Sequence, residues 1–359
     1  MNLSNINNQQ IDIKNKKMND EEDKNETLSL DKIPNFIDLF CGIGGFHKGL
    51  VGFNCVFACD IDEKCRESYY INYKINPNGD IFGINIDNIP QHDILCAGFP
   101  CQPFSSAGKR KGFDDERFKV YEKLIEIINI KQPNIIILEN VKNLTTMNKG
   151  ILFEKIKKDL INNNYNVSHS LLNVSNFGLP QNRERIFIIG INKFYKNKYF
   201  DFTFLNSIKI NNTLKDIIDL SNHNYIDKTK YILIDDKHKI KQKSGLLFCG
   251  YIKGNIRGNG TTPNTEHLSR VHKQPNRIYH IDGVNPTLNS SENAGRYYIY
   301  DENGVRTLTL DECYSIMGFN NFILHKKKNI CYKQIGNSVC PTIIKFIKDE
   351  LIKQNLIFS

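Results

Sequence analysis

A chain of 359 residues with 40% hydrophobic content can build one large α/β domain with a smaller companion around a sizeable core. Its 48 Lys and Arg against 39 Asp and Glu leave a net charge of +9, which suits a polyanionic partner. No apolar run reaches the roughly 18 residues of a membrane span, none of the ten cysteines forms a C-x-x-C pair, and Met1–Lys17 is too polar for a secretory signal. The expectation is a reduced, soluble, intracellular protein without structural disulfides or a metal.

In chain order, residues 1–31 are rich in Asn, Lys, Asp and Glu and are expected to form a disordered tail. From Phe36 short apolar runs alternate with helical stretches, the pattern of a mostly parallel sheet with helices on both faces. Strands are expected at Phe36–Phe40, Cys55–Cys59, Asp93–Ala97, Ile135–Leu138 and Arg185–Ile191. Helices are expected at Phe118–Ile130, stopped by Pro133, at Leu152–Asn162, and at Pro341–Leu351, where a proline opens an apolar stripe. Alternation is lost from about Lys198 to Asn321, and Gly, Asn, Arg and His gather in Gly245–Asn276. That stretch reads as a small domain inserted before the last helix. The expected division is residues 1–31, 32–197 with 326–359, and 198–325.

Four motifs carry chemistry. Asp38-Leu39-Phe40-Cys41-Gly42-Ile43-Gly44-Gly45 takes a strand into a glycine-rich turn, where backbone N–H groups can approach a ligand. The third glycine of a dinucleotide site is replaced by His47, which favours a nucleoside carrying an amino acid over a pyrophosphate cofactor. Asp60 ends the second strand, where a carboxylate can hold ribose hydroxyls. The alternative is that the glycines only make a tight turn.

Cys101 stands in Gly98-Phe99-Pro100-Cys101-Gln102-Pro103, a loop at the carboxyl edge of the sheet, stiffened by two prolines as suits a positioned nucleophile. Most cysteines are small inert hydrophobes. Glu139 follows Ile-Ile-Ile-Leu at the same edge, so partial desolvation should raise its pKa and equip it to donate a proton; a salt-bridged strand-end acid is the alternative. In Gln181-Asn182-Arg183-Glu184-Arg185 the alternation sends Arg183 and Arg185 to one side, where a guanidinium can serve a carbonyl oxygen or a phosphate. An ordinary salt-bridged edge would look the same.

These motifs in this order, with a late Gln334-Ile335-Gly336-Asn337-Ser338-Val339, resemble the DNA (cytosine-5) methyltransferase family over Phe36–Lys193 and Arg306–Leu351. The resemblance implies a Rossmann-like class I methyltransferase domain with an inserted target-recognition domain, of the restriction–modification type. It implies Cys101 as nucleophile on C6 of a flipped-out cytosine, with Glu139, Arg183 and Arg185 as further catalytic residues. S-Adenosyl-L-methionine would bind at Asp38, Phe40, Gly42, Gly44, Gly45, Asp60, Ile61, Asp80, Ile81, Phe99, Pro100, Val120, Asn337 and Ser338, leaving S-adenosyl-L-homocysteine as product, and no metal is implied.

Double-stranded DNA would be met by Gln102, Ser105, Lys109, Thr287 and Leu288, with Lys253–Arg277 as reader of base edges. A monomer is expected, in the cytoplasm and nucleoid of a bacterial host, with a cognate restriction endonuclease as companion. Two departures stand out. Arg117-Phe118-Lys119-Val120-Tyr121 replaces the family's Arg-Gly-x-Leu-Phe, and Asp60-Ile61 replaces Glu and an aromatic residue, which should weaken adenine stacking. An RNA-directed relative, a catalytically silent DNA-binding relative and an NAD-dependent oxidoreductase are the competing readings.

Overall fold

The computed structural model describes residues 33–100, 116–254 and 264–357, without the side chains of 116–118. The expected tail lies outside these residues. The chain begins with β1 (Asn35–Leu39), α1 (Gly45–Gly49), β2 (Asn54–Cys59), α2 (Glu63–Tyr73), β3 (Ile94–Ala97), α3 (Glu116–Lys131), β4 (Ile135–Val141), α4 (Ile151–Asn162), β5 (Tyr165–Asn173), β6 (Gln181–Asn182) and β7 (Glu184–Asn192). Six strands form one sheet in the order β2-β1-β3-β4-β7-β5. β1 to β4 pair in parallel, whereas β7 is antiparallel to both β4 and β5. The mostly parallel α/β sheet is therefore present, with an antiparallel edge.

The side-chain period of two sorts the strand residues onto two faces. Phe36, Ile94, Cys96, Ile135 and Ile137 pack with Phe46 of α1, with Leu50 just after it and with the C-terminal helix. Their neighbours Ile37, Leu39, Leu95, Ala97, Ile136 and Leu138 pack with α3 and α4. Because both faces are covered, these strands read as unbroken apolar runs rather than alternating ones. Each such Ile or Leu contributes about 1.5–3 kcal/mol of burial. The helix ends follow local chemistry: Asp62 caps α2 by accepting from the Lys64 N–H at 2.9 Å, and Gln132 at φ +46° ends α3 just before Pro133.

The remainder holds α5 (Thr203–Ser207), β8 (Tyr231–Leu233), β9 (Phe248–Ile252), β10 (Arg277–His280), β11 (Asn285–Pro286), β12 (Tyr298–Tyr300), β13 (Val305–Thr307), α6 (Leu310–Ser315), α7 (Lys328–Asn337) and α8 (Pro341–Lys353). A second sheet runs β13-β12-β10-β9-β8, and β11 pairs separately with β6. Residues 33–359 form one compact unit. Ile281, Leu288, Tyr297, Ile299 and Leu308 of the later segment enter the same core as Phe36 and Ile137. α8 returns the chain to the first sheet, its Ile343, Ile344, Ile347 and Leu351 buried as the apolar stripe predicts.

Candidate active site

β1 runs into a turn with Phe40 at φ +56°, Gly42 at +53° and Gly44 at +83°. A non-glycine residue in the left-handed region costs of order 1–3 kcal/mol, so the surroundings must hold Phe40 there. A side chain at Gly42 would meet nothing within 4 Å, so this glycine faces open space; at Gly44 it would collide with the Tyr73 ring. At Gly45 it would run into the Val339 carbonyl. Gly45 thus lets Gln334–Val339 approach the turn from the far end of the sequence.

Asp60 organises the turn. Its carboxylate accepts the Gly42 N–H at 2.7 Å and the Asp62 N–H at 2.8 Å. Burial pushes its pKa up, and those two N–H groups pull it back. Arg66 Nη1 donates to the carbonyls of Asp60 and Ile61 at 2.8 and 3.0 Å, leaving the Ile61 side chain 75% exposed. Asn78 bridges to β2, its N–H donating to Ala58 O and its carbonyl accepting from Asp60 N, which brings exposed Asp80 and buried Ile81 alongside. Phe40, Gly42, Asp60 and Ile61 are thus brought together by backbone chemistry.

Glu139 lies inside β4 rather than beyond it, paired with Phe187 of β7. It is buried, and its Oε1 stands 3.1 Å from Arg185 Nε. Burial raises its pKa, while Arg185 and then Arg183 act to lower it. Asn140 Nδ2 donates to Phe99 O at 2.9 Å, and a side chain on Gly98 would come within 3.8 Å of Glu139 Oε2. The chain leading toward Cys101 therefore passes beside the Glu139 carboxyl. Cys101, Gln102, Ser105 and Lys109 lie outside the described residues, as do residues 255–263 of the expected base reader Lys253–Arg277.

Arg183 and Arg185 differ in their surroundings. Arg185 Nη1 donates to Glu184 O at 2.8 Å and its Nε faces Glu139. The Arg183 guanidinium, 1% exposed, donates to Leu288 O at 3.2 Å, Gly336 O at 3.1 Å and Ser338 O at 2.7 Å. Burial, and then Arg185, lower its pKa. Beside it Gln181 Oε1 accepts the Leu288 N–H at 3.1 Å, and the Thr287 hydroxyl donates to Asn182 O at 2.7 Å.

Three residues expected at ligands are enclosed by the described residues around them. Asp38 is fully buried beneath the turn; burial pushes its pKa well up and Asp60 adds to this, while the His47 N–H and the Tyr69 hydroxyl act to lower it. Leu288 is fully buried in the core, and Arg183 is enclosed by carbonyls. Each is expelled from the surface because the segments around it close together. Phe99 and Ser338 are also buried, whereas Pro100 and Asn337 are exposed and Val120 is half-buried. At the departure after the cysteine loop, Tyr121 is buried with its ring 6.1 Å from Phe99, and its hydroxyl donates to Asp159 at 2.7 Å. Sequence reasoning missed Asn140, Gln181 and Val339 as organisers, although Gln181 and Val339 stood within quoted motifs and Asn140 directly follows Glu139. Among the described residues no group of three or more His, Cys, Asp or Glu could hold a metal, and no described helix is long and apolar enough to cross a membrane.

Residues 34–353 match a family model described as C-5 cytosine-specific DNA methylase. The chain is 33% identical to the type II methyltransferase M.HhaI of Haemophilus parahaemolyticus over 322 residues, covering 87% of this chain and 92% of that protein. It is 36% identical to M.SsoII of Shigella sonnei, covering 88% and 79%. The crystal structure of the S. pombe Dnmt2 methyltransferase superposes with a TM-score of 0.63 at 18% identity, over 90% of this chain and 99% of that one. The fold is thus that of the methyltransferases.

Proposed function

The chain belongs to the C-5 cytosine-specific DNA methylase family, and on that premise we propose that it methylates C5 of a cytosine flipped out of a specific site in duplex DNA, through a covalent bond between the Cys101 sulfur and C6. C5 of cytosine is a weak nucleophile until the ring is activated. Addition of the Cys101 thiolate to C6 makes C5 enamine-like; after C5 has taken the methyl group, loss of the C5 proton and expulsion of the thiolate restore the ring. Glu139 donates at N3 and accepts from the exocyclic amine, favouring the addition, and Arg185 binds O2. Flipping costs a few kcal/mol, offset by these contacts.

One observation carries this reading: the buried Glu139 carboxyl faces Arg185 at 3.1 Å beside the Gly98–Pro100 segment that leads into Cys101. S-Adenosyl-L-methionine would supply the electrophilic sulfonium methyl. The residues present fit it: Gly42 faces open space, Asp60 offers its remaining lone pairs toward hydroxyls, and exposed Ile61 offers an apolar face to the adenine. Arg183 we assign as a positioning residue, and residues 198–325 as the target-recognition domain. The protein would act as a monomer on DNA in the cytoplasm, beside an endonuclease of the same specificity.

Tritium transfer from labelled methyl donor to duplex DNA or to tRNA tests the substrate, and bisulfite sequencing of DNA from expressing cells maps the site. Label in DNA at one repeated sequence is expected. Label in tRNA alone, or an unmodified genome, overturns the reading.

A further inference from the structure

The second sheet carries a small cleft of about 210 Å³ that the methyl-transfer chemistry above does not use. Its lining includes Arg277, Asn285, Pro286, Glu292, Arg296 and Tyr298. Glu292 is 4% exposed, while the Arg296 side chain is 50% exposed. The buried carboxylate accepts Arg296 Nε on both oxygens, at 3.2 and 3.1 Å, and Nη2 stands 3.0 Å from it as the other half of the ion pair. It also accepts the backbone N–H groups of Ala294 and Arg296 at 3.0 and 3.3 Å. No described group bonds Arg296 Nη1.

A guanidinium held along its Nε–Nη2 side presents its adjacent Nη1–Nη2 end as a rigid fork with two parallel donors. Two acceptors side by side match that fork, and in duplex DNA the N7 and O6 atoms of guanine supply them in the major groove. A phosphate matches less well, because Glu292 neutralises the positive charge that a phosphate would seek. The cleft also adjoins the catalytic strand. Asn285 and Pro286, which line it, pair with Gln181 and Asn182, and the same chain reaches Arg185 three residues later.

Resting on the DNA-methylation reading, we propose that Arg296, held by Glu292, is a specificity-determining residue that reads the N7/O6 edge of a guanine in the recognised site. The test combines site mapping with oligonucleotides carrying 7-deazaguanine, which lacks the N7 acceptor, at each guanine of the wild-type site in turn. Arg296→Ala should lower kcat/KM on that site roughly 10- to 100-fold, relax selectivity at one position, and abolish the penalty of 7-deazaguanine there. Glu292→Gln keeps the shape but loosens the grip, giving a smaller loss at the same position. A wild-type enzyme indifferent to 7-deazaguanine at every guanine overturns the proposal, whatever the stability of the variants. So does an Arg296→Ala enzyme that keeps its selectivity, or one that loses activity equally on all sequences with a lowered Tm. A wild-type enzyme that labels no DNA overturns this proposal together with the function it rests on.

Discussion

At the scale of single residues the proposed chemistry rests on a buried acid. Burial raises the pKa of Glu139 above its ordinary 4.5, with Arg185 and Arg183 opposing. A protonated Glu139 is the form that donates, so activity should be full below the raised value and fall as pH climbs through it. The sign for stability is the same: the folded chain holds a proton that the unfolded chain releases above pH 4.5, so stability declines with rising pH over that window. Glu139→Gln should lower kcat roughly 10²- to 10⁴-fold and flatten the alkaline limb in a pH–rate profile. Cys101→Ala should form no covalent complex with 5-fluorocytosine duplex on a denaturing gel, yet still retard the cognate duplex under native conditions; an adduct in that variant would exclude Cys101 as nucleophile. The acid was legible in the sequence because it directly follows Ile-Ile-Ile-Leu. The destination of Arg183 was not, since its partners stand 105, 153 and 155 residues away.

Among the elements, contacts between distant segments decide the geometry. A methyl group at Gly45 collides with the Val339 carbonyl, so Gly45→Ala should cost about 1–3 kcal/mol, read as a lowered Tm. Because the same contact joins the turn to Gln334–Val339, affinity for the methyl donor should weaken with it. Arg183→Lys replaces a fork that reaches three carbonyls with a compact ammonium. Each lost charge-assisted hydrogen bond costs roughly 1.5–3 kcal/mol, and KM for DNA and for methyl donor should rise together, as a clasp between the two sites requires. A KM change for one substrate alone would refute the clasp. Most strands and helices of the first sheet were readable from apolar runs and Pro133. β5 and α2 were not: β5 alternates polar and apolar residues at a half-exposed edge, and α2 buries only Ser68 and Tyr69.

For the molecule as a whole, the segment 198–325 has its own sheet but shares a core with the first one. Calorimetry should therefore give a single transition with equal calorimetric and van't Hoff enthalpies, and two resolved transitions would contradict the shared core. The polar pair Arg306–Glu312 adds to this continuity. Both are buried in bidentate contact at 2.8 and 2.7 Å, and Arg306 Nη2 also donates to Asp219 O at 3.1 Å, fixing β13, α6 and the earlier loop as one piece.

The sequence by itself determined the α/β class, the order of the chemical motifs, and the acid and arginine at the strand edges. It could do so because strand periodicity, glycine turns and residue chemistry are local properties. Only the tertiary structure decided that Asp38, Arg183 and Leu288 are enclosed, that Arg185 meets Glu139, and that Glu292 grips Arg296 within a cleft. Those outcomes depend on which distant segments close against each other, and burial, not residue type, then sets whether a charged group faces a ligand or holds the fold.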